Sequence, residues 1–173
     1  MQTTYATIAK QLDKLHLLRR LLLQKPINHC GLYAGQLPIL EYIERNGGCT
    51  QAALSDTMGV TPASIALSTK RLQRVGYIEK HTDEQDLRRN QLTITEAGKA
   101  AASQCRQAFD ALDEKMFAGI SSQELTSFGQ CLDRLIDNML DAGGMAKAEF
   151  SFRELIKRLA NSDTRRMEEL PHD

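Results

Sequence analysis

The sequence lacks the marks of a membrane or secreted protein. No apolar run approaches the roughly 18 residues that a membrane-spanning helix needs, so no membrane partner is expected. The start, MQTTYATIAK, has no basic cluster followed by an apolar core and does not resemble a signal peptide. The 4 cysteines form no CxxC pair and are expected to be reduced thiols. These absences predict a cytoplasmic location.

A net charge is also absent. The 22 Lys and Arg residues balance the 22 Asp and Glu residues, which alone gives no reason to suspect a nucleic-acid partner. The average hides a polarised distribution, however. Residues 61–91 carry six basic side chains against four acidic ones, whereas residues 92–144 carry four against eight. This regional charge is more informative about partners than the sum.

Catalytic and metal-binding patterns are missing as well. The sequence has no nucleophile–base motif and no phosphate-binding loop, so we expect neither an enzyme nor a cofactor. His29, Cys30 and Cys49 have no recognised zinc-ligand spacing, and no metal site is predicted. A redox-active thiol at Cys30 or Cys49 stays open as an alternative to a buried, inert thiol, which we favour.

What the sequence does contain is a series of helices. Apolar residues at helical spacing predict a first helix over residues 5–24, and this helix is apolar on nearly every side. Pro26 is expected to end it, because proline lacks the backbone N–H of the helical hydrogen bond. Residues 35–46 predict a second helix, which Gly47 and Gly48 end.

A short helix, a tight turn and another helix follow. Thr50 is a suitable N-cap for the short helix QAALSDTM, which Gly59 closes. Thr61 and Pro62 then place a capping residue and a proline at the start of a fourth helix, which runs to Gly76. This order is typical of a helix-turn-helix.

Two short runs of alternating residues, 77–80 and 92–95, predict the strands of a β-hairpin. The loop between them is crowded with opposite charges, namely Asp83, Glu84, Asp86, Arg88 and Arg89. An arginine at a hairpin tip can enter a minor groove, where the potential is most negative, and a neighbouring carboxylate can hold its guanidinium in place. An isolated charged tip would more simply be solvated, so the preceding helix pair decides between these interpretations.

The remainder of the chain predicts three more helices. Thr95 can cap a long one, and Ser121 with Glu124 forms a capping box for the next. That helix repeats apolar residues at the spacing of a helix–helix seam, at Leu125, Phe128, Leu132, Leu135 and Met139. Gly143–Gly144 breaks the chain before a last amphipathic helix over 152–161, which we expect to dock on the helical region.

A helix-turn-helix followed by a hairpin resembles the multiple antibiotic resistance regulator (MarR) family of bacterial transcription factors. The diagnostic residues are Leu72 and Gly76 in RLQRVGYI, Asp83-x-x-Asp86-x-Arg88 in the wing, and LTITEAG after it. The flanking helices also fit, so the resemblance extends over residues 5–141. It implies that in the wing Asp86 orients Arg88.

The resemblance also implies a division of the chain. The fold would be mainly α with a small β-hairpin wing. A winged helix-turn-helix DNA-binding domain would occupy residues 32–95, and a helical dimerisation region would combine residues 1–31 with 96–142. Residues 145–173 would form a C-terminal helical extension and polar tail.

For function, the resemblance implies a sequence-specific DNA-binding transcriptional regulator, usually a repressor in this family. It would bind double-stranded DNA as a homodimer on a pseudo-palindromic operator, and a small-molecule effector would release it. Two alternatives stay open: a winged-helix interaction protein that has lost operator binding, and a cysteine-based redox-sensing regulator. The basic residues of the fourth helix and the wing favour DNA binding.

The fourth helix has two distinct faces. At about 100° per residue, Ile65, Thr69 and Leu72 lie together and are expected to face the core. The opposite face is small or basic, which suits close approach to a groove, although Leu67 departs from the polar or basic residue common in the family. The candidates for DNA contact are Thr50, Gln51, Thr61, Ala63, Ser64, Leu67, Lys70, Arg71, Arg74, Arg88 and Arg89.

Two further expectations concern partners. The first helix and the seam at 125–139 are candidates for the dimer interface, because both have more apolar faces than one small domain can cover. Filling a monomer core is the alternative. In the family, small molecules bind between the dimer helices and the winged domain. Residues that could line such a pocket, although ordinary half-buried polar side chains are the simpler interpretation, are His16, Arg20, His29, Tyr33 and Tyr42.

Overall fold

The computed structural model describes residues 4–82 and 90–145, together with Leu155. Within these residues the chain is mainly helical with one antiparallel pair of strands, as the sequence predicted. The elements are α1 Tyr5–His29, α2 Gln36–Arg45, α3 Gln51–Met58, α4 Pro62–Arg74, β1 Ile78–Thr82, β2 Asn90–Ile94, α5 Glu96–Met116 and α6 Ser122–Ala142. None of the described helices is long and apolar enough to cross a membrane.

Helix α1 continues past the position where we expected it to end. Pro26 lies inside the helix, and His29 is its last residue. A proline near the end of a helix removes only its own N–H, and its carbonyl still accepts from the Cys30 N–H at 3.1 Å. Gly31, at φ +66°, then supplies the left-handed residue that follows the helix. The prediction that Pro26 ends α1 was therefore wrong.

The chain divides into two compact units, Met1–Cys49 with Lys70–Met116 and Thr50–Thr69 with Phe117–Asp173. In the first unit, α5 packs against both α1 and α2, and α2 also packs against β2. Two ion pairs accompany these contacts, since Arg19 of α1 pairs with Asp113 of α5 and Arg106 of α5 pairs with Glu41 of α2. The most deeply buried side chains of this unit are Leu32, Leu40, Ile43, Leu72, Ile78, Leu92 and Cys105.

The hairpin pairs its strands antiparallel, with Ile78 opposite Ile94. Both strands reach further toward the charged loop than the sequence predicted. Cys49 adds an isolated bridge to β2, with backbone hydrogen bonds of 3.0 and 2.7 Å to Leu92. The segment before α3 is thereby tied to the hairpin.

The start of α5 lies directly against the chain that enters the hairpin. The Thr95 hydroxyl accepts from the Gly98 N–H at 3.0 Å, as its predicted capping role requires, and donates to the Gly76 carbonyl at 2.7 Å. A Cβ added at Gly98 would lie 2.1 Å from the Tyr77 carbonyl oxygen. Only a glycine permits this approach, and it fixes α5 relative to β1.

In the second unit, α6 begins with the predicted capping box. The Ser121 hydroxyl accepts from the Glu124 N–H at 3.3 Å, and the Glu124 carboxylate accepts from the Ser121 N–H at 2.8 Å. Much of the apolar seam of α6 is exposed in this single chain, at Leu125, Phe128, Leu135 and Met139. The last predicted helix, over 152–161, lies outside the described residues apart from Leu155.

Candidate nucleic-acid interface

Helices α3 and α4 form the predicted helix-turn-helix. The Thr50 hydroxyl accepts from the Ala53 N–H at 3.1 Å, and Gly59 ends α3 at φ +68°. The Ser55 hydroxyl of α3 donates to the carbonyl of Val60 in the turn at 2.7 Å. Together these interactions cap α3 and link it to the turn that leads into α4.

The start of α4 is capped by hydroxyl groups that remain exposed. The Thr61 side-chain oxygen accepts from the Ser64 N–H at 3.2 Å, and its O–H lies 2.9 Å from the Ser64 hydroxyl. Pro62 is the first helical residue, as predicted. Exposed hydroxyls at a helix N-terminus can serve as caps in the free protein and still face an incoming phosphate. Thr61 and Ser64 therefore remain candidates for DNA contact.

The inner face of α4 is buried as predicted, with Ile65, Thr69 and Leu72 only 1%, 0% and 0% exposed. The Thr69 hydroxyl donates to the Ile65 carbonyl at 2.8 Å and accepts from the Gln51 side-chain amide at 2.7 Å. Gln51 thus connects α3 to α4 through its side chain. This hydrogen bond engages one of the two amide N–H groups of Gln51 inside the protein, and its contact with DNA stays a prediction.

The outer face of α4 presents small residues in its first half and basic residues in its second. Leu67 is 52% exposed in the middle of this surface. Within the described part of the chain, no carboxylate lies within ion-pair distance of Lys70 or Arg74. The exposed residues, which we call the outer α4 surface, are Ala63, Ser64, Leu67, Lys70 and Arg74.

Arg71 differs from its basic neighbours because it is half-buried. Its guanidinium lies over the ring of Tyr33, 5.0 Å from the ring centroid. This distance is within the range of a cation–π interaction. Arg71 and Tyr33 were predicted to belong to two different sites, because no sequence periodicity connects residues so far apart in the chain. Their contact is a feature that only the tertiary structure reveals.

The wing is only partly described. In β1, the His81 imidazole lies 3.4 Å from the Glu79 carboxylate, and both side chains are more than half exposed. Lys80 is exposed beside them. The predicted tip residues Asp86, Arg88 and Arg89 lie outside the described residues, so their assignment to DNA contact stays a prediction.

The five candidate effector residues do not line the pocket that the described part of α1 forms. A cavity of about 450 Å³ lies along α1, and its lining residues are Lys10, Asp13, Lys14, Leu17, Leu18 and Leu21. His16, Arg20 and His29 are exposed on the same helix, Tyr33 is exposed in the turn after it, and Tyr42 is half-buried in α2. Their role as a ligand site stays a prediction.

Three of the cysteines are buried free thiols, Cys30, Cys49 and Cys105, whereas Cys131 is exposed. Burial raises the pKa of Cys49 to about 11 and is also the main cause that raises the pKa of Cys105 to about 11. A raised pKa suppresses the reactive thiolate at neutral pH, which disfavours a redox switch at Cys49. Among the described residues, no group of three or more metal-binding side chains is found.

The fold and the α3–α4 geometry define a winged helix-turn-helix protein, and comparison with known sequences gives its family. Residues 31–89 match the model of the MarR family. The chain is 30% identical over 108 residues to YybA, an uncharacterized HTH-type transcriptional regulator of Bacillus subtilis (strain 168), covering 62% of this chain and 72% of YybA. It is 27% identical over 105 residues to the HTH-type transcriptional regulator BilQ of Clostridium symbiosum (strain WAL-14163), covering 61% of this chain and 73% of BilQ. The chain therefore belongs to the MarR family of transcriptional regulators, not to a family of enzymes.

A further relative matches this chain over a smaller part of its length. An uncharacterized HTH-type transcriptional regulator, YwhA of Bacillus subtilis (strain 168), is 28% identical over 90 residues, and the alignment spans 65% of its length. It covers 52% of this chain. The similarity is thus concentrated in part of each protein.

Solved structures confirm the fold. The YusO protein of Bacillus subtilis superposes with a TM-score of 0.68 at 17% identity, covering 76% of this chain and 94% of YusO. A variant of Escherichia coli MarR complexed with operator DNA superposes with a TM-score of 0.60 at 19% identity, covering 74% of this chain and 92% of that protein. At these identities the similarity establishes the winged-helix fold alone.

Proposed function

We propose that this protein is a repressor that binds a pseudo-palindromic operator in double-stranded DNA as a homodimer, with α4 of each subunit in a major groove. The division of α4 supports the proposal most strongly. Its inner face is fully buried, and the outer α4 surface is small near the helix start and basic toward its end. Small residues let the helix approach base edges, and the basic residues suit phosphates.

The wing would add a minor-groove contact. In this proposal Arg88 enters the groove and Asp86 orients its guanidinium, while Arg89 meets the backbone. Support comes from the family resemblance and from the hairpin, whose described strands lead toward the tip. One subunit provides few contacts, and a dimer would double them on two half-sites.

Exposed apolar side chains support the homodimer. In one chain α1 exposes Leu15, Leu18 and Leu22 at 41%, 46% and 50%, and α6 exposes Phe128 and Leu135 at 42% and 44%. Repeated large apolar groups at helical spacing are typical of helices that bury a face against another chain. A second copy of this protein is the partner that such surfaces fit in a family of homodimers.

Binding to the DNA upstream of the protein's own coding sequence tests the function. We expect the full-length protein to shift this duplex in a gel and to bind a scrambled duplex of equal length at least tenfold more weakly. Lys70→Ala should weaken binding to both duplexes and reduce the salt slope by about one, because it removes a phosphate contact. Lys115→Ala, which alters an exposed lysine at the end of α5, is the matched control and should leave the slope unchanged.

The competing function is that of an interaction protein that has lost operator binding. Equal affinity for the two duplexes, or no binding to either at low salt, would favour it. A small-molecule effector remains part of the proposal on the basis of family membership, with His16, Arg20, His29, Tyr33 and Tyr42 as candidate contacts. An effector should raise the melting temperature of the free protein and weaken its affinity for the operator. By thermodynamic linkage, operator DNA should lower the protein's affinity for the effector by the same factor.

A further inference from the structure

Tyr33 occupies a turn whose backbone is held in place. The residue lies between α1 and α2, and its N–H donates to the side-chain carbonyl of Gln36 at 2.8 Å. In turn, the Gln36 N–H donates a hydrogen bond to the Tyr33 carbonyl at 3.0 Å. Gln36 itself is 2% exposed, so this anchor is part of the core. The phenol ring, by contrast, belongs to a residue that is 54% exposed. A fixed backbone thus presents an aromatic surface.

Arg71 uses this aromatic surface differently from the two other stacked arginines. Arg19 and Arg106 both lie over Phe109, at 5.7 and 5.8 Å, but their guanidinium donors are taken by Asp113 and Glu41. Within the described residues, no carboxylate lies within ion-pair distance of Arg71, whose guanidinium lies 5.0 Å from the Tyr33 ring centroid. Stacking restricts the guanidinium without consuming its N–H donors. Arg71 is therefore held and still able to donate.

The position of Arg71 on α4 indicates what it can reach. Residues that contact base edges lie in the N-terminal part of a recognition helix. Arg71 belongs to the last turn and flanks the outer α4 surface, beside Lys70 and Arg74. A guanidinium in this position suits a phosphate of the DNA backbone, which it can bind with two parallel hydrogen bonds.

We propose that Tyr33 is a positioning residue for DNA binding: its ring holds the guanidinium of Arg71 in the orientation that meets a backbone phosphate. The inference rests on the proposed function and adds to it. A free arginine loses rotamer freedom when it binds, and a pre-stacked arginine has already lost part of it. The role differs from that of an effector contact, because it predicts an effect on DNA affinity in the absence of any small molecule.

A double-mutant cycle in the full-length protein tests this role. Affinity is measured for the duplex from upstream of the coding sequence and for a scrambled duplex, each over a range of salt. Arg71→Ala should weaken binding to both duplexes and reduce the salt slope by about one. Tyr33→Leu should weaken binding roughly two- to fivefold, the range of an exposed cation–π contact, with a nearly unchanged slope. Tyr33→Phe keeps the ring and should bind like wild type.

The decisive variant combines the two changes. Once Arg71 is alanine, replacing Tyr33 by leucine should cause no further loss of affinity. An equal loss in both backgrounds would overturn the positioning role, as would a Tyr33→Phe variant as weak as Tyr33→Leu or a Tyr33→Leu variant as strong as wild type. Melting temperatures of all variants identify any loss that comes from unfolding. If the wild-type protein binds neither duplex, both the proposed function and this inference are wrong. If it binds normally but the two losses are additive, only this inference is wrong.

Discussion

A single residue on α4 gives the sharpest expectation about base preference. Leu67 is 52% exposed on a surface otherwise made of small and basic side chains. An exposed leucine does not stabilise the free protein by burial, but in a major groove it can contact the methyl group of thymine. Its replacement of the polar or basic residue common in the family therefore points to a thymine in each half-site of the operator.

The first prediction follows from that contact. Leu67→Ala should weaken binding to the preferred operator by about 1 kcal/mol, since roughly one buried methyl contact is lost. Selection from a random duplex library measures the preference directly. Wild type should enrich a thymine at one position of each half-site, Leu67→Ala should relax that position, and Leu67→Met should retain it. An unchanged position in the alanine variant would exclude the contact.

The wing gives a prediction whose sign separates two physical models. If Asp86 orients Arg88, then Asp86→Ala should weaken DNA binding even though it removes a negative charge. A model based on net charge alone predicts tighter binding. Arg88→Ala should weaken DNA binding by about 1–3 kcal/mol, with little effect on folding. Fluorescence anisotropy at moderate salt measures both, and tighter binding by Asp86→Ala would refute the orienting role.

At the scale of the elements, the close approach of α5 to the hairpin can be tested by adding one methyl group. Alanine is favoured over glycine inside a helix by roughly 0.5–1 kcal/mol. At Gly98 the added Cβ would meet the Tyr77 carbonyl at 2.1 Å, and a backbone atom cannot rotate away. Gly98→Ala should therefore destabilise the protein by about 1–3 kcal/mol. Chemical denaturation measures the effect, and Ala97→Gly, at the exposed neighbouring position, measures helix propensity alone.

The ion pair between α1 and α5 should make stability depend on pH. The hydrogen bond and charge of Arg19 lower the pKa of Asp113 from its ordinary value. A carboxyl group with a lowered folded-state pKa stabilises the fold above its unfolded pKa, and this contribution is lost as pH falls through the folded pKa. Because the Asp113 side chain is 39% exposed, solvent screening limits the effect to about 0.5 kcal/mol.

The measurement compares wild type with Asp113→Asn. The difference in unfolding free energy should be constant from about pH 5 to 8 and should shrink below about pH 4, as Asp113 becomes protonated in the wild type. Asp110→Asn, which changes an exposed carboxylate on the same helix, is the control. A difference that stays constant down to pH 2 would show that charge at Asp113 does not stabilise the fold.

Local signals predicted the elements well, and tertiary contacts explain what they missed. Helix caps could be predicted at Thr50, Thr61, Thr95 and Ser121, because a cap depends on residues only three positions away. Pro26 was misread because a proline in the last turn costs one hydrogen bond, which the packing of α1 against α5 can offset. The same limit applies to the candidate site. The buried and outer faces of α4 follow from periodicity, whereas the links from Gln51 to Thr69 and from Tyr33 to Arg71 depend on how distant segments meet.

At the scale of the whole molecule, a total charge of zero conceals an uneven distribution of charged and apolar side chains. Basic side chains gather on the second half of α4, and the segment from 92 to 144 is acidic. Apolar side chains are also exposed in the single chain, some on α1 and others on α6. We expect DNA to be the partner of the basic side chains and a second copy of the protein to be the partner of the apolar ones.

The last prediction concerns that second copy. We expect the wild-type protein to be a dimer at micromolar concentration, with residues 5–23 and 125–139 in a self-complementary interface. Leu15 is 41% exposed in one chain, and a glutamate there is tolerable in a monomer but would be buried in the dimer. Leu15→Glu and Leu132→Glu should therefore give monomers or insoluble protein, whereas Gln107→Glu, at an exposed position on α5, should remain dimeric. Light scattering measures the mass of each. A monomeric wild type would remove the basis for a dimer, and because one subunit reads only one half-site, it would also remove the physical reason for a pseudo-palindromic operator.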